Sequence, residues 1–210
     1  MQNENTIPKL APPGAGIPWP QRMVLQFVIA PFVAGRTDWK ISQTRFDKLT
    51  AKILREAEEM SEAQMLMKVL VPPQSGLEDS SRFWSVAMVL EHLVIVGRQM
   101  NYAITELVSG RNPEGKADTA AVKPFGAMSA KQSLEDFKKF TDTEYKNLVK
   151  YIGSHDHNSQ LKFLHPWFGK ITAKQWFWVL TIHHGLHLKQ IRNIKACMHA
   201  TPTKGGGVSR

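Results

Sequence analysis

The chain has 210 residues, 42% of them hydrophobic, which suits one domain with a sizeable core and excludes a disordered or fibrous class. Its formal charge of +9 comes from 27 Lys and Arg against 18 Asp and Glu, spread along the chain with no basic cluster interleaved with aromatics, so a nucleic-acid interface is not indicated. The single cysteine, Cys197, rules out an internal disulfide; the fold must hold by packing, as suits a reducing cytoplasm, and a lone Cys near the end of an amphipathic helix reads as packing rather than as a reactive thiol.

Residues 1–40 read as an N-terminal arm with a short apolar segment. Prolines at 8, 12, 13, 18 and 20 each remove an amide donor and fix φ, so Met1 to Pro20 is an arm, not a helix. The apolar run from Met23 to Ala34 is too short to span a bilayer and is interrupted by Pro31, and the polar, Pro-rich stretch before it does not open like a secretory signal. It reads as a short helix or extended arm packed on the domain, with no membrane span.

Residues 41–200 read as four helices. Phe46, Leu49, Ile53, Ala57 and Met60 recur at spacings of three and four and mark a first helix from Ser42 to near Ser61. After the break at Val71 to Gly76, the Asp79-Ser80-Ser81 cluster offers caps for a second helix reaching about Leu107, with the seam Trp84, Met88, His92, Ile95 and Gln99. Ser109 to Met128 is a long loop, longer than adjacent antiparallel helices require. Ser129 and Gln132 have capping-box spacing, and Leu134, Phe137, Tyr145, Leu148 and Ile152 mark a third helix. Thr172 and Gln175 repeat the signature before a fourth, whose seam is Trp176, Leu180, His183, His187, Gln190 and Ile194. Residues 201–210, with three consecutive glycines, are expected to be a flexible tail. With no alternating strand and no internal repeat, the chain predicts an all-α four-helix bundle with an N-terminal Pro-rich arm.

The histidines carry the functional signal. His183 and His187 are four residues apart, so on a helix they stack on one face and two imidazoles there can reach one metal ion. A further ligand is needed, and His92, on the seam of another helix, is the candidate, because facing helices of a bundle commonly build metal sites. Three neutral imidazoles suit zinc, nickel or iron and leave positions open for water or substrate. His184 is a neighbour of His187 and reads as a ligand, a group supporting one, or a flank residue. No Glu follows the first His to make an HExxH protease pattern, and no Glu-x-x-His pair supports a di-iron centre. His155 and His157 read as a solvated turn. His165, before Pro166 in the HPWFG stretch, reads as a structural residue of a loop entering the last helix, its ring bonding backbone groups the turn leaves free.

Trp84 followed by His92-Leu93, together with His183-x-x-x-His187-Leu-Lys-Gln190, resembles the DinB-like superfamily of four-helix-bundle proteins. His165-Pro-Trp-Phe-Gly169 followed by Trp176 is similar to a branch of that family with an HPxFG segment. The resemblance covers roughly Ser42 to Ala200. It implies an up-down-down-up bundle and one metal ion on the residues matching His92, His183 and His187. It also implies chemistry on thiols, since some members are thiol transferases and others open or isomerise thiol conjugates. Many relatives carry a second His before the final ligand, where this chain has Leu186.

The leading expectation is therefore a cytoplasmic metal-dependent enzyme of transferase or hydrolase type, with a mononuclear three-histidine site and a small-molecule substrate such as a thiol or thiol conjugate. Trp84, Trp167, Trp176 and Trp178 are candidate pocket walls. The rival is a non-catalytic, dimeric bundle with a structural or vestigial metal site.

Overall fold

Asp38 starts the first long helix. Its side chain accepts the amides of Lys40 and Ile41 at 2.7 and 3.2 Å and launches α2, Trp39–Glu58, with Phe46, Ile53 and Ala57 wholly buried. The computed structural model describes residues 8–12, 14–33, 36, 38–155 and 159–200. Within the expected arm, residues 14–18 carry no helix or strand, and α1 begins at Trp19 with Pro20 in its first turn, where a missing amide costs nothing. Trp19–Val24 continues as a π-helix over Leu25–Val33, so the apolar segment is helical as far as Val33. The tail 201–210 lies outside the described residues. Among the described residues no helix is long and apolar enough to cross a membrane.

The second long helix begins later than the Asp79-Ser80-Ser81 cluster suggested. That cluster forms a single 3-10 turn, because its side chains are committed elsewhere: Asp79 takes Arg82 and the Ala11 amide, both at 2.7 Å, and Ser81 accepts from Lys123 at 3.0 Å. Before it stand α3, Glu62–Leu66, and β1, Val69–Leu70; after it β2, Phe83–Trp84, pairs antiparallel with β1. Ser85 then caps α4, Val86–Val108, through the Met88 amide at 3.2 Å. Trp84 thus precedes the helix rather than riding its seam, and Gln99 is exposed, since the buried face of α4 is broad near its start and turns away there.

The third helix is one run interrupted by a wide turn: α5, Ala130–Lys139, a π-turn over Phe140–Glu144, and α6, Tyr145–Gly153. Phe140 packs directly on the backbone of α4 at Gly97, where an added Cβ would sit 2.3 Å from its Cζ. The HPWFG stretch is not a plain loop. It turns a β-hairpin of β3, Lys162–His165, and β4, Gly169–Thr172, closed by Gly169 at φ 72°, a conformation glycine adopts without strain. The two hairpin strands and the β1–β2 pair are additions to the all-α expectation, too short for alternation to betray them. Thr172 and Gln175 cap α7, Ala173–Ala200, reciprocally at 2.8 and 3.5 Å. Helix α7 packs against α2 and α4, and α4 packs against α5, around one core that includes Leu90, Leu93, Phe137, Leu180 and Ile191.

Candidate metal centre

Helix α7 presents His183 and His187 one turn apart, and α4, packed against it, brings His92 to them. Nε2 of His183 lies 3.2 Å from Nε2 of His92 and 3.1 Å from Nε2 of His187. A tetrahedral ion about 2.0 to 2.1 Å from each nitrogen would hold its ligands about 3.3 Å apart, so the spacing fits.

The tautomers follow from the neighbours. The Val122 carbonyl only accepts, so Nδ1 of His92, 2.7 Å away, donates to it. The Gln190 side chain donates from Nε2 to the Ser81 carbonyl at 2.7 Å, which turns its Oε1 to accept from Nδ1 of His187, also at 2.7 Å. Each neutral ring has one proton, so Nε2 of both His92 and His187 is a bare acceptor. Both face Nε2 of His183. A proton on that atom can point at one of the two and leaves the other lone pair opposed; without it, three lone pairs converge. A cation resolves the conflict, and imidazoles whose Nδ1–H is held by a carbonyl oxygen are the usual form of metal-binding histidine. Nδ1 of His183 is enclosed and has no such partner among the described residues.

Electrostatics favour the same state. Burial, then the charge of His187, pushes His92 well below the ordinary imidazole range, and burial, then His187 and His92, does the same to His183. Burial pushes His187 down to about 4, opposed by its bond to Gln190. All three rings are neutral at pH 7, the ligating form.

The other histidines separate cleanly. His184, fully buried, bonds the Leu180 carbonyl through Nδ1 at 2.9 Å and packs against Phe46 and Phe137, its ring 6.3 Å from that of His183 but outside the group that could share a metal; burial pushes it to about 3. His165 accepts the amides of Trp167 and Phe168 at 3.1 and 3.3 Å, so it holds the hairpin turn together. His155 is exposed, stacked on Tyr151 at the end of α6, and His157 lies outside the described residues.

A cavity of about 480 Å³ adjoins the trio, bordered by His92, His183 and His187 and walled largely by apolar groups, among them Val96, Met100, Phe163, Trp167, Trp176 and Leu186. Trp84 backs the histidines, its ring 5.0 Å from His92, and Trp178 packs on Phe168, so these two tryptophans support the site without forming its wall. Three side chains that sequence reasoning did not single out organise the rim. Buried Glu91 accepts the amides of Phe125 and Gly126, both at 2.9 Å, and so pins the long connection that carries Val122 to His92. Lys123 donates to buried Glu78 at 2.6 Å and lies over the Trp84 ring. No local pattern marks these three, because their partners are more than thirty residues away.

A family model for the DinB superfamily matches residues 34–191. The chain belongs to the DinB superfamily. The fold is similar to that of a solved protein described as TT2238, a four-helix bundle protein, with a TM-score of 0.52 at 19% identity over 74% of this chain and 98% of that one. That likeness is one of fold. No protein of curated function matches the sequence. The family and the three-histidine cluster together make this a DinB-superfamily bundle whose buried imidazoles could hold a metal ion.

Proposed function

We propose that this DinB-superfamily chain is a metal-dependent enzyme that holds one divalent transition ion, zinc, nickel or iron, on His92, His183 and His187. It acts as a transferase or hydrolase on a thiol or thiol conjugate seated in the adjoining cavity. The observation that carries the reading is that the Nε2 atoms of His92 and His187, both fixed as bare acceptors, each lie within 3.2 Å of Nε2 of His183 beside a space for a ligand. When bound, the ion supplies Lewis acidity, which lowers the pKa of a thiol or water.

The chain's own residues do the rest. Val122 and Gln190 hold the rings of His92 and His187 in the ligating tautomer. Three neutral ligands leave the ion's charge uncompensated, so an anionic ligand is favoured. A thiol, with a pKa near about 8.5 and so about seven units below bulk water, needs the least assistance to supply one. Phe163, Trp167 and Trp176 exclude water from the same space and favour a substrate with an apolar body.

The test is a titration of the cobalt-substituted protein with 2-mercaptoethanol and with phenylmethanethiol. Thiol-dependent charge-transfer absorption, absent in His183→Ala, is expected. No spectral change with either thiol removes the thiol reading and favours a non-catalytic bundle.

A further inference from the structure

His165 is doing two things at once. Its Nδ1 accepts two backbone amides, from Trp167 at 3.1 Å and Phe168 at 3.3 Å. A nitrogen that accepts carries no proton, so the neutral ring carries its proton on Nε2. Burial keeps the ring neutral, pushing it down to about 3. The side chain is only 7% exposed, yet its Nε2–H meets no acceptor among the described residues and is open at its surface rather than enclosed. The open space that His165 borders is the cavity beside the three histidines. It lies near enough to that centre to contribute to the depressed pKa of His183.

A second donor stands against it. The Trp176 ring is 4.8 Å from the His165 ring and borders the same cavity, and its enclosed Nε1–H also has no acceptor among the described residues. That N–H is sealed from the cavity, so the indole acts there through its ring; the His165 Nε2–H, an unpaired donor that opens onto a ligand-sized space, makes this an acceptor-binding corner. The lone-pair-rich trio and this donor corner are complementary in character: one recruits a cation, the other an acceptor oxygen.

The geometry points to a second recognition element: His165 Nε2–H, with the Trp176 ring packed beside it, binds a carbonyl or carboxylate oxygen of the ligand in the three-histidine cavity. This rests on the cavity being the substrate site and narrows the substrate class to carbonyl-bearing molecules with an apolar body. Here His165 is a substrate-positioning residue as well as a structural one, and its neutral donor keeps its character across the physiological pH range.

The test uses two isosteric probes, acetophenone and α-methylstyrene, which differ in a C=O against a C=CH2. Both are bound to the full chain, metal-free and zinc-loaded, with the Trp176 indole N–H followed by NMR. In the native protein, acetophenone is expected to bind at least as tightly as α-methylstyrene, and both probes are expected to shift the Trp176 indole resonance, which reports a ligand beside that ring. His165→Asn keeps an acceptor for the turn amides in the place of Nδ1, and its short amide brings no donor to the place of Nε2. It should weaken acetophenone about fivefold and leave α-methylstyrene unchanged, the worth of one neutral hydrogen bond. Equal losses for both probes, no loss for acetophenone, or no binding of acetophenone to the native protein would each overturn the proposal. Because the probes carry no thiol, a protein that keeps the carbonyl preference but shows no thiol spectrum refutes only the thiol reading, and the reverse pattern refutes only the donor corner.

Discussion

Gln190→Leu is the substitution that connects the packing of this bundle most directly to its chemistry. Gln190 is fully buried and spans two elements: it takes the Nδ1–H of His187 and gives its own amide to the Ser81 carbonyl, both at 2.7 Å. Leucine fills nearly the same volume, so the loss is polar. Two buried groups, an imidazole N–H and a carbonyl, are left without partners, at about 1 to 3 kcal/mol each, and the expected destabilisation is about 2 to 6 kcal/mol. Freed of its acceptor, His187 can also flip to the tautomer with Nε2 protonated, which cannot ligate. Losing such a supporting bond weakens metal binding by about 10- to 100-fold. Urea denaturation of the metal-free protein reads the first quantity, and zinc competition against a chromophoric chelator reads the second. A variant that loses stability as stated but binds zinc within about threefold of the native protein would refute the claim that Gln190 sets the ligating tautomer, since the expected loss is at least about tenfold.

Gly97→Ala places a Cβ 2.3 Å from Phe140, whose ring is wholly buried, and should cost about 1 to 3 kcal/mol despite the better helix propensity of alanine; the cost should shrink in a Phe140→Leu background, and a stabilised single variant would contradict the close contact. Acid should destabilise the fold through His165 and His184, whose folded pKa values are depressed to about 3 from 6.5: their contribution is complete above 6.5 and is lost as pH falls towards about 3, at about 1.4 kcal/mol per pH unit for each titrating ring. The urea midpoint should therefore be flat above pH 7, fall below 6.5, and fall less steeply in His184→Leu; a midpoint that rises on acidification contradicts the sign. Metal should raise the melting temperature without being needed for the fold, because the core is built from long apolar helix faces, and a metal-free protein without helical circular dichroism would say otherwise.

What could be read from the sequence was what is local. His183 and His187 declare a shared face by spacing alone, His92 declares burial by its apolar neighbours, and Thr172 with Gln175 forms the reciprocal cap its spacing announced. The misplaced start of the second helix has a non-local cause: Asp79 caps nothing because Ala11, 68 residues earlier, claims its carboxylate. The hairpin around His165 was hidden because each strand has only four residues and one of them begins at a glycine. Glu91 and Lys123 were silent for a related reason. A buried Glu in an apolar stretch of helix is a hint of a distant partner, but only the folded chain shows that the partner is the connection carrying Val122 to the three histidines.

The central claim is that His92, His183 and His187 together bind one metal ion. Its most direct test is the metal content of the untagged chain after loading with zinc and exhaustive dialysis, measured for the native protein and for the single alanine variants of the three histidines. The expected result is about one zinc per native chain, in line with a single tetrahedral site, and loss of most of it in every variant that remains helical. A native chain that retains no metal, or a folded His183→Ala that retains it all, would contradict the claim.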